Sequence, residues 1–188
     1  MSCLKDSIAQ RDPYLQELVE KITQAPTLAL LILAALELGR AVAVKVAEEV
    51  LNERGQEPTT WSVCPECRQK IESKGLAPRQ MMTLIGLVKW WRRRGGCPNG
   101  CKNGQVVPLD EALGVKPYQK SSLEVKRLAC AVAIFVPFEI ASVLLELLSG
   151  VKVCPKSIWG WVQESGQQAI WMPNWKRWEK GICRRKRR

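Results

Sequence analysis

Two short cysteine pairs decide how this sequence is interpreted: Cys64-Pro-Glu-Cys67 and, after twenty-nine intervening residues, Cys97-Pro-Asn-Gly-Cys101. Each pair places two thiols at the ends of a tight turn, and the segment between the pairs has the pattern of a β-hairpin. Such an arrangement is typical of a zinc ribbon, in which four thiolates surround one Zn²⁺ and leave no coordination position open for a substrate. We therefore predict a structural zinc site formed by Cys64, Cys67, Cys97 and Cys101.

Three other interpretations of the four cysteines remain open at this point: a vestigial ribbon, an iron–sulfur site and a redox-active pair. The remaining cysteines have no partner at short spacing; they are Cys3, Cys130, Cys154 and Cys183. The chain contains no histidine, which excludes zinc fingers with mixed cysteine and histidine ligands and also histidine general bases.

The chain has 188 residues, enough for one medium domain or two to three small ones. Its net charge is +11. The positive charge is localised. Residues 64–105 contain nine basic and two acidic side chains, and residues 174–188 contain eight and one. Such patches favour a polyanionic partner, most simply nucleic acid. The alternative is a solvated surface followed by a disordered tail.

The N-terminus lacks the basic and apolar segments of a signal peptide. Two charge-free apolar runs, Ala25 to Leu36 and Leu128 to Phe138, are shorter than the roughly 20 residues that span a bilayer. We expect a cytoplasmic, nucleoid-associated protein with no membrane partner. Thiols stay reduced in the cytosol, which again favours metal ligands over disulfides.

Residues 1–57 are predicted to form a helical N-terminal region. Asp12-Pro13 is a typical helix start, and a longer helix is expected from about Thr27 to Asn52. Its first half is apolar on nearly all sides, and a polar face follows, formed by Glu37, Arg40, Lys45, Glu48, Glu49 and Asn52. An apolar helix must pack against something: the first helix, a later domain, or a second copy of the chain in a homodimer.

Residues 58–105 are predicted to form the zinc-ribbon hairpin, with strands Arg79 to Ile85 and Leu87 to Arg94 on either side of Gly86. The apolar side chains of this hairpin are expected to be Met82, Leu84, Val88 and Trp90. Its candidate contacts to DNA phosphates are Lys89, Arg92, Arg93, Arg94 and Lys102.

A connector at residues 106–120 leads to three predicted helices at residues 121–170. Ser121 and Glu124 have the spacing of a capping box, Ser149-Gly150 ends the second helix, and Pro155 begins the third. This pattern is typical of a helix-turn-helix. The side chains expected to face a DNA groove are Lys156, Ser157, Trp159, Gln163 and Gln167. A plain three-helix bundle with a polar third helix is the alternative, and residues 171–188 form a basic tail.

The predicted fold class is therefore mainly α with a small β zinc ribbon: an N-terminal helical arm, a four-cysteine hairpin and a C-terminal three-helix helix-turn-helix. Several local sequences occur in a fixed order along the chain: residues 83–86, 90–94, 97–101, 108–114, 121–125, 136–139, 157–163 and 166–168. Together with the order of the predicted parts, they resemble the N-terminal part of bacterial, cyanobacterial-type insertion-sequence transposases of the ISKra group. The resemblance covers roughly residues 10–170.

In that family an RNase H-like core with three carboxylates and two Mg²⁺ ions follows the helix-turn-helix. Only about eighteen residues follow Ile170 here, and the chain has three aspartates. The resemblance thus implies the DNA-recognition part of a transposase, truncated before the catalytic core. It would bind double-stranded element ends, lack catalysis and small-molecule substrates, hold structural Zn²⁺, and involve Mg²⁺ only if another reading frame supplied the core. Two alternatives are a zinc-ribbon module for protein interaction or oligomerisation and a decayed, inactive transposase fragment.

Overall fold

A computed structural model describes residues 12–170, and within them lie six helices and one three-stranded antiparallel sheet with strand order β1-β2-β3. The predicted basic tail at residues 171–188, Cys3 and Cys183 lie outside the described residues. The elements in chain order are α1 (Pro13–Thr23), α2 (Leu28–Gln56), β1 (Glu72–Thr83), β2 (Gly86–Gly96), β3 (Gln105–Val106), α3 (Pro108–Ala112), α4 (Leu123–Ala133), α5 (Phe138–Ser149) and α6 (Pro155–Ile170).

The first two helices begin at side-chain caps. Asp12 Oδ1 accepts a hydrogen bond from the Tyr14 N–H at 3.0 Å, and Pro13 occupies the first helical position as predicted. Thr27 Oγ1 accepts from the Leu30 N–H at 3.3 Å. The two helices pack on each other, and α2 continues to Gln56, one turn beyond the predicted end at Asn52.

Strands β1 and β2 form a hairpin whose two-residue turn is Leu84-Ile85, because Thr83 pairs with Gly86. Gly86 has a φ of +136°, a conformation that favours glycine, and it is the first residue of β2 rather than the centre of the turn. Met81 pairs with Val88, so these two side chains lie on one face of the sheet. Met81 is buried there instead of the predicted Met82, which lies on the other face.

The main apolar core of the N-terminal part lies between the hairpin and α2. Met81, Val88 and Trp90 are buried together. The partly buried apolar side chains around them come from α2, from the hairpin turn and from the residues that follow β3: Val44, Ala47, Leu51, Ile85, Leu109 and Val115.

Helix α2 also bonds to the backbone of β2. Glu48 Oε1 accepts from the Lys89 N–H at 2.9 Å, and Asn52 Oδ1 accepts from the Trp91 N–H at 2.7 Å. Glu48 and Asn52 are four residues apart, a rise of about 6 Å along a helix, and Lys89 and Trp91 are two residues apart, about 6.8 Å along a strand. The two acceptors therefore have nearly the same spacing as the two donors. The close approach requires Gly55, since a Cβ there would collide with the carbonyl oxygen of Trp91.

The chain divides into two compact units, one with the residues up to Val125 together with Ser149–Val151, and one with Lys126–Leu148 and the residues from Lys152 onward. In the second unit α4 and α6 are joined by an ion pair of 3.0 Å between Lys126 and Glu164. The cap at the start of α4 is Ser122, which accepts from the Val125 N–H, and not the predicted Ser121. Across residues 12–170, no helix has the length and apolarity to cross a membrane.

Candidate metal centre

The first cysteine pair lies in a tight turn closed by backbone hydrogen bonds. The Arg68 N–H donates to the Cys64 carbonyl at 2.9 Å, and the Cys64 N–H donates to the Gln69 carbonyl at 2.8 Å. Arg68 has a φ of +59°, which reverses the chain direction directly after Cys67. This geometry turns both thiols of the pair toward the same side.

The second pair has an equivalent turn. The Gly100 N–H donates to the Cys97 carbonyl at 3.1 Å, and the Cys97 N–H donates to the Gly104 carbonyl at 2.8 Å. Gly100 has a φ of +68°. Gly104 is buried, and a Cβ there would overlap Cys97 Cβ, so only glycine fits beside the ligand.

The two turns bring Cys64, Cys67, Cys97 and Cys101 together, with all four sulfur atoms within 4.8 Å of one another. Cys67 Sγ and Cys97 Sγ are 3.3 Å apart, well beyond the S–S bond length of about 2.05 Å. A Zn–S distance of about 2.3 Å implies sulfur atoms about 3.8 Å apart in a regular tetrahedron. The donor set therefore fits a tetrahedral metal ion. Elsewhere in residues 12–170 there is no other cluster of three or more such donors.

The surroundings of the four sulfurs are apolar and largely closed. Cys64 and Cys97 are buried together with Ile71, and Trp61 and Val106 pack against them. The Asn103 N–H donates to Glu66 Oε1 at 3.1 Å and ties one turn to the other. Hydrogen bonding with Cys67, followed by burial, raises the pKa of the Cys101 thiol. A bound cation would reverse this preference and release protons from the thiols.

The strand repeat distributes the predicted phosphate contacts over both faces of the hairpin. Arg92 and Arg94 lie on the face of Trp90, whereas Lys89 and Arg93 lie on the opposite face. Lys89, Arg94 and Lys102 are exposed. With the amide oxygen of Gln105 turned toward the guanidinium group, Arg94 Nε donates a hydrogen bond of 2.9 Å to that oxygen.

The other two arginines make contacts within the protein. Arg92 Nε lies 2.9 Å from both carboxylate oxygens of Asp110, and the two side chains are 11% and 10% exposed. Arg93 donates to the carbonyl oxygens of Gln56 and Glu57 at the end of α2. Both guanidinium groups therefore hold neighbouring elements on the hairpin.

Four of the five candidate groove-facing residues of α6 are exposed: Lys156, Trp159, Gln163 and Gln167. Ser157 is half-buried, and its hydroxyl lies 3.1 Å from Cys154 Sγ. This hydrogen bond, together with the Ser157 backbone N–H, lowers the pKa of Cys154.

The sequence analysis did not identify three residues that shape this region. Asp110 is the buried partner of Arg92, Gly104 makes room for Cys97, and Arg79 donates to the carbonyls of Lys116 and Gln119. Asp110 is 18 residues from Arg92 along the chain, and Arg79 is 40 residues from Gln119, so no local sequence signal could have identified these two contacts. Gly104 follows Cys101 by three residues, and its place beside a ligand turn was the one available signal.

No protein-family model matches this chain, and no curated protein matches its sequence.

Proposed function

We propose that the chain binds double-stranded DNA through a zinc-tied basic ribbon and through α6, as the end-recognition part of an insertion-sequence transposase of the ISKra type. The observation that carries the proposal is the convergence of four thiols within 4.8 Å at the base of a strongly basic hairpin. A tetrahedral thiolate set is the ligand set of structural zinc, and a closed site of this kind stabilises a fold instead of performing chemistry.

The ribbon stays positive after metal binding. Residues 64–105 carry nine basic and two acidic side chains, a difference of +7. One Zn²⁺ with four thiolates contributes a formal charge of −2, which leaves about +5. A small surface with this charge attracts a polyanion, and double-stranded DNA is one that carries a negative charge for about every 1.7 Å of helix axis.

The exposed cations of the ribbon are the phosphate contacts that the geometry favours. Since Arg92 and Arg93 are engaged with Asp110 and with the end of α2, they support the ribbon while other side chains meet DNA. The exposed basic residues around the hairpin and the metal turns include Arg68, Lys70, Lys89, Arg94 and Lys102.

Helix α6 is the proposed reader of base edges, with α5 and the intervening turn completing a helix-turn-helix. Lys156, Trp159, Gln163 and Gln167 follow one another at intervals of three, four and four residues, so they share one side of the helix. Their exposure leaves lysine and glutamine donors and acceptors available to a major groove.

The salt dependence of binding to a mixed-sequence duplex tests the phosphate contacts. In Lys89→Gln/Arg94→Gln, two phosphate contacts are lost, so the slope of log affinity against log salt should fall in magnitude by about 1.8. The matched control, Lys21→Gln/Lys45→Gln, removes two exposed lysines on α1 and α2, outside the ribbon and the helix-turn-helix, and should leave the slope unchanged. Fluorescence anisotropy at rising salt measures both.

Two results would count against the proposal. An unchanged slope in the ribbon variant would remove the ribbon from the interface. Absence of DNA binding by the zinc-loaded chain would leave the protein-interaction module as the better explanation.

For α6, Gln163→Ala/Gln167→Ala should reduce discrimination between duplex sequences by about 1–3 kcal/mol per lost base contact, with little change in the salt slope.

A further inference from the structure

Helix α2 carries a continuous apolar row on a side that stays exposed in the described part of the chain. Ile32, Leu36, Val46 and Val50 are 49%, 53%, 53% and 40% exposed. Gly39 and Ala43 complete the row, whose successive spacings are four, three, four, three and four residues. A 3.5-residue repeat sustained over this length is the pattern of a helix that pairs with another helix.

Over its C-terminal half, two other sides of α2 are already occupied. Val44, Ala47 and Leu51 pack on the hairpin core, and Lys45 forms an ion pair of 2.8 Å with Asp12 at the start of α1. At 3.6 residues per turn, the row from Ile32 to Val50 faces away from Lys45 and lies about 90° around the helix from the centre of the hairpin contacts. The helix is thus built with one face for α1, one for the hairpin and one for a further partner.

The row reads nearly the same in both directions. Its middle is small, with Gly39 and Ala43, and each end has two large aliphatic residues, Ile32 and Leu36 at one end and Val46 and Val50 at the other. We propose that this row is a self-association surface, which takes a second copy of the chain in antiparallel orientation. In that register Ile32 faces the partner's Val50, Leu36 faces the partner's Val46 and Gly39 faces the partner's Ala43.

The position of Gly39 supports a close helix crossing. A glycine inside a helix is unfavourable relative to alanine, and a Cβ at Gly39 would meet no atom of residues 12–170 within 4 Å. The described part of the chain therefore gives no steric reason for glycine there. An approaching backbone at the centre of an antiparallel pair does, because small residues at that point let two helices come close.

A second copy is the occupant that suits this row. A two-fold interface requires a self-complementary patch, and the near-palindromic order supplies one without any charged residue among its six positions. The row spans about 27 Å along the helix, the length of a small two-helix interface. The row contains none of the residues proposed to bind DNA, so the inference does not depend on DNA binding.

Sedimentation equilibrium of the zinc-loaded full chain between about 1 and 100 µM tests the surface. The chain should show a monomer–dimer equilibrium. Leu36→Lys places a charge in both halves of the interface and should weaken dimerisation about 100-fold or more. The matched control is Leu30→Lys, which changes an equally exposed leucine on the far side of α2 and should not alter the equilibrium. Bound zinc and circular dichroism report whether each variant is folded.

A charge pair tests the orientation. Val46→Glu alone should dissociate the dimer. Leu36→Lys/Val46→Glu should restore dimerisation, because in the antiparallel register each lysine faces a glutamate of the other copy and the dimer contains two such pairs. A folded wild-type chain that stays monomeric at about 100 µM would overturn the proposal and assign the row to a different protein. Equal weakening by Leu30→Lys would remove the row as the contact, and a double variant that stays monomeric would overturn the antiparallel register.

Discussion

The ion pair between Arg92 and Asp110 is expected to stabilise the fold and not to bind phosphate. Arg92 Nε lies 2.9 Å from both oxygens of a carboxylate that is 10% exposed. Arg92→Met would leave that carboxylate buried without its partner, which costs about 3–5 kcal/mol. Since small domains are stable by only about 5–15 kcal/mol, the midpoint of chemical denaturation should fall steeply.

The double variant Arg92→Met/Asp110→Leu separates this explanation from a simple loss of charge. Because it removes both buried charges together, it should recover most of the stability lost in Arg92→Met, and the double-mutant cycle should show a coupling energy of more than about 1 kcal/mol. Arg94→Met, two residues away on the same strand face, is the control and should cost no more than about 0.5 kcal/mol. If Arg92→Met kept full stability and reduced the salt slope of DNA binding, the reasoning would be refuted.

Three further predictions concern the metal, pH and two glycines. Elemental analysis should find one zinc ion per wild-type chain, and Cys64→Ser/Cys67→Ser should lose this zinc and melt at a lower temperature. The control Cys154→Ser changes an exposed cysteine outside the site and should keep its zinc. Equal metal content in the two variants would contradict the site. The hydrogen bond with Lys45, then that with the Tyr14 N–H, lowers the pKa of Asp12 below its ordinary value of 3.8, so its contribution to stability is present above pH 3.8 and disappears as pH falls through the lowered pKa. Thermal melts of the wild type should therefore lose more stability in acid than those of Asp12→Asn, and parallel acid profiles would disprove this role. Gly55→Ala should cost more than about 1 kcal/mol because its methyl group meets the Trp91 carbonyl, whereas Gly39→Ala should stabilise the monomer by about 0.5–1 kcal/mol in urea denaturation at low protein concentration; similar effects at both sites would contradict the packing at Gly55.

Local chemistry allowed the helices and the cysteine set to be predicted. Pro13 and Pro155 mark helix starts and Ser149-Gly150 marks a helix end, and each acts within a few residues of the boundary it sets. The convergence of Cys64, Cys67, Cys97 and Cys101 followed from two turns joined by a hairpin. The predicted strands were too short: β1 begins at Glu72, seven residues before the predicted Arg79, and ends at Thr83 instead of Ile85. The turn was misplaced because Gly86 was taken as its centre, although its positive φ belongs to the first residue of β2.

Contacts between distant residues could not be predicted. Glu48 and Asn52 looked like members of a solvated helix face, yet they accept hydrogen bonds from strand residues about 40 positions later. The arginines at 92–94 looked like one basic run, but strand alternation and the partners Asp110 and Gln56 give them different surroundings. A polar side chain has the same sequence signal whether it meets water or a backbone N–H, so its role depends on the tertiary fold.

The hydrogen bonds from α2 to β2 also have consequences for folding and for shortened fragments of this protein. Until α2 docks, the N–H groups of Lys89 and Trp91 are donors without their partners Glu48 and Asn52, on a strand whose pairing with β3 is limited to Gly95 and Gly96. Such an open strand edge is a template for pairing with another chain. A fragment that begins at Pro58 would retain all four thiols of the metal centre and still be prone to aggregate. In the folded chain, helix α2 therefore covers the strand edge that β3 leaves open.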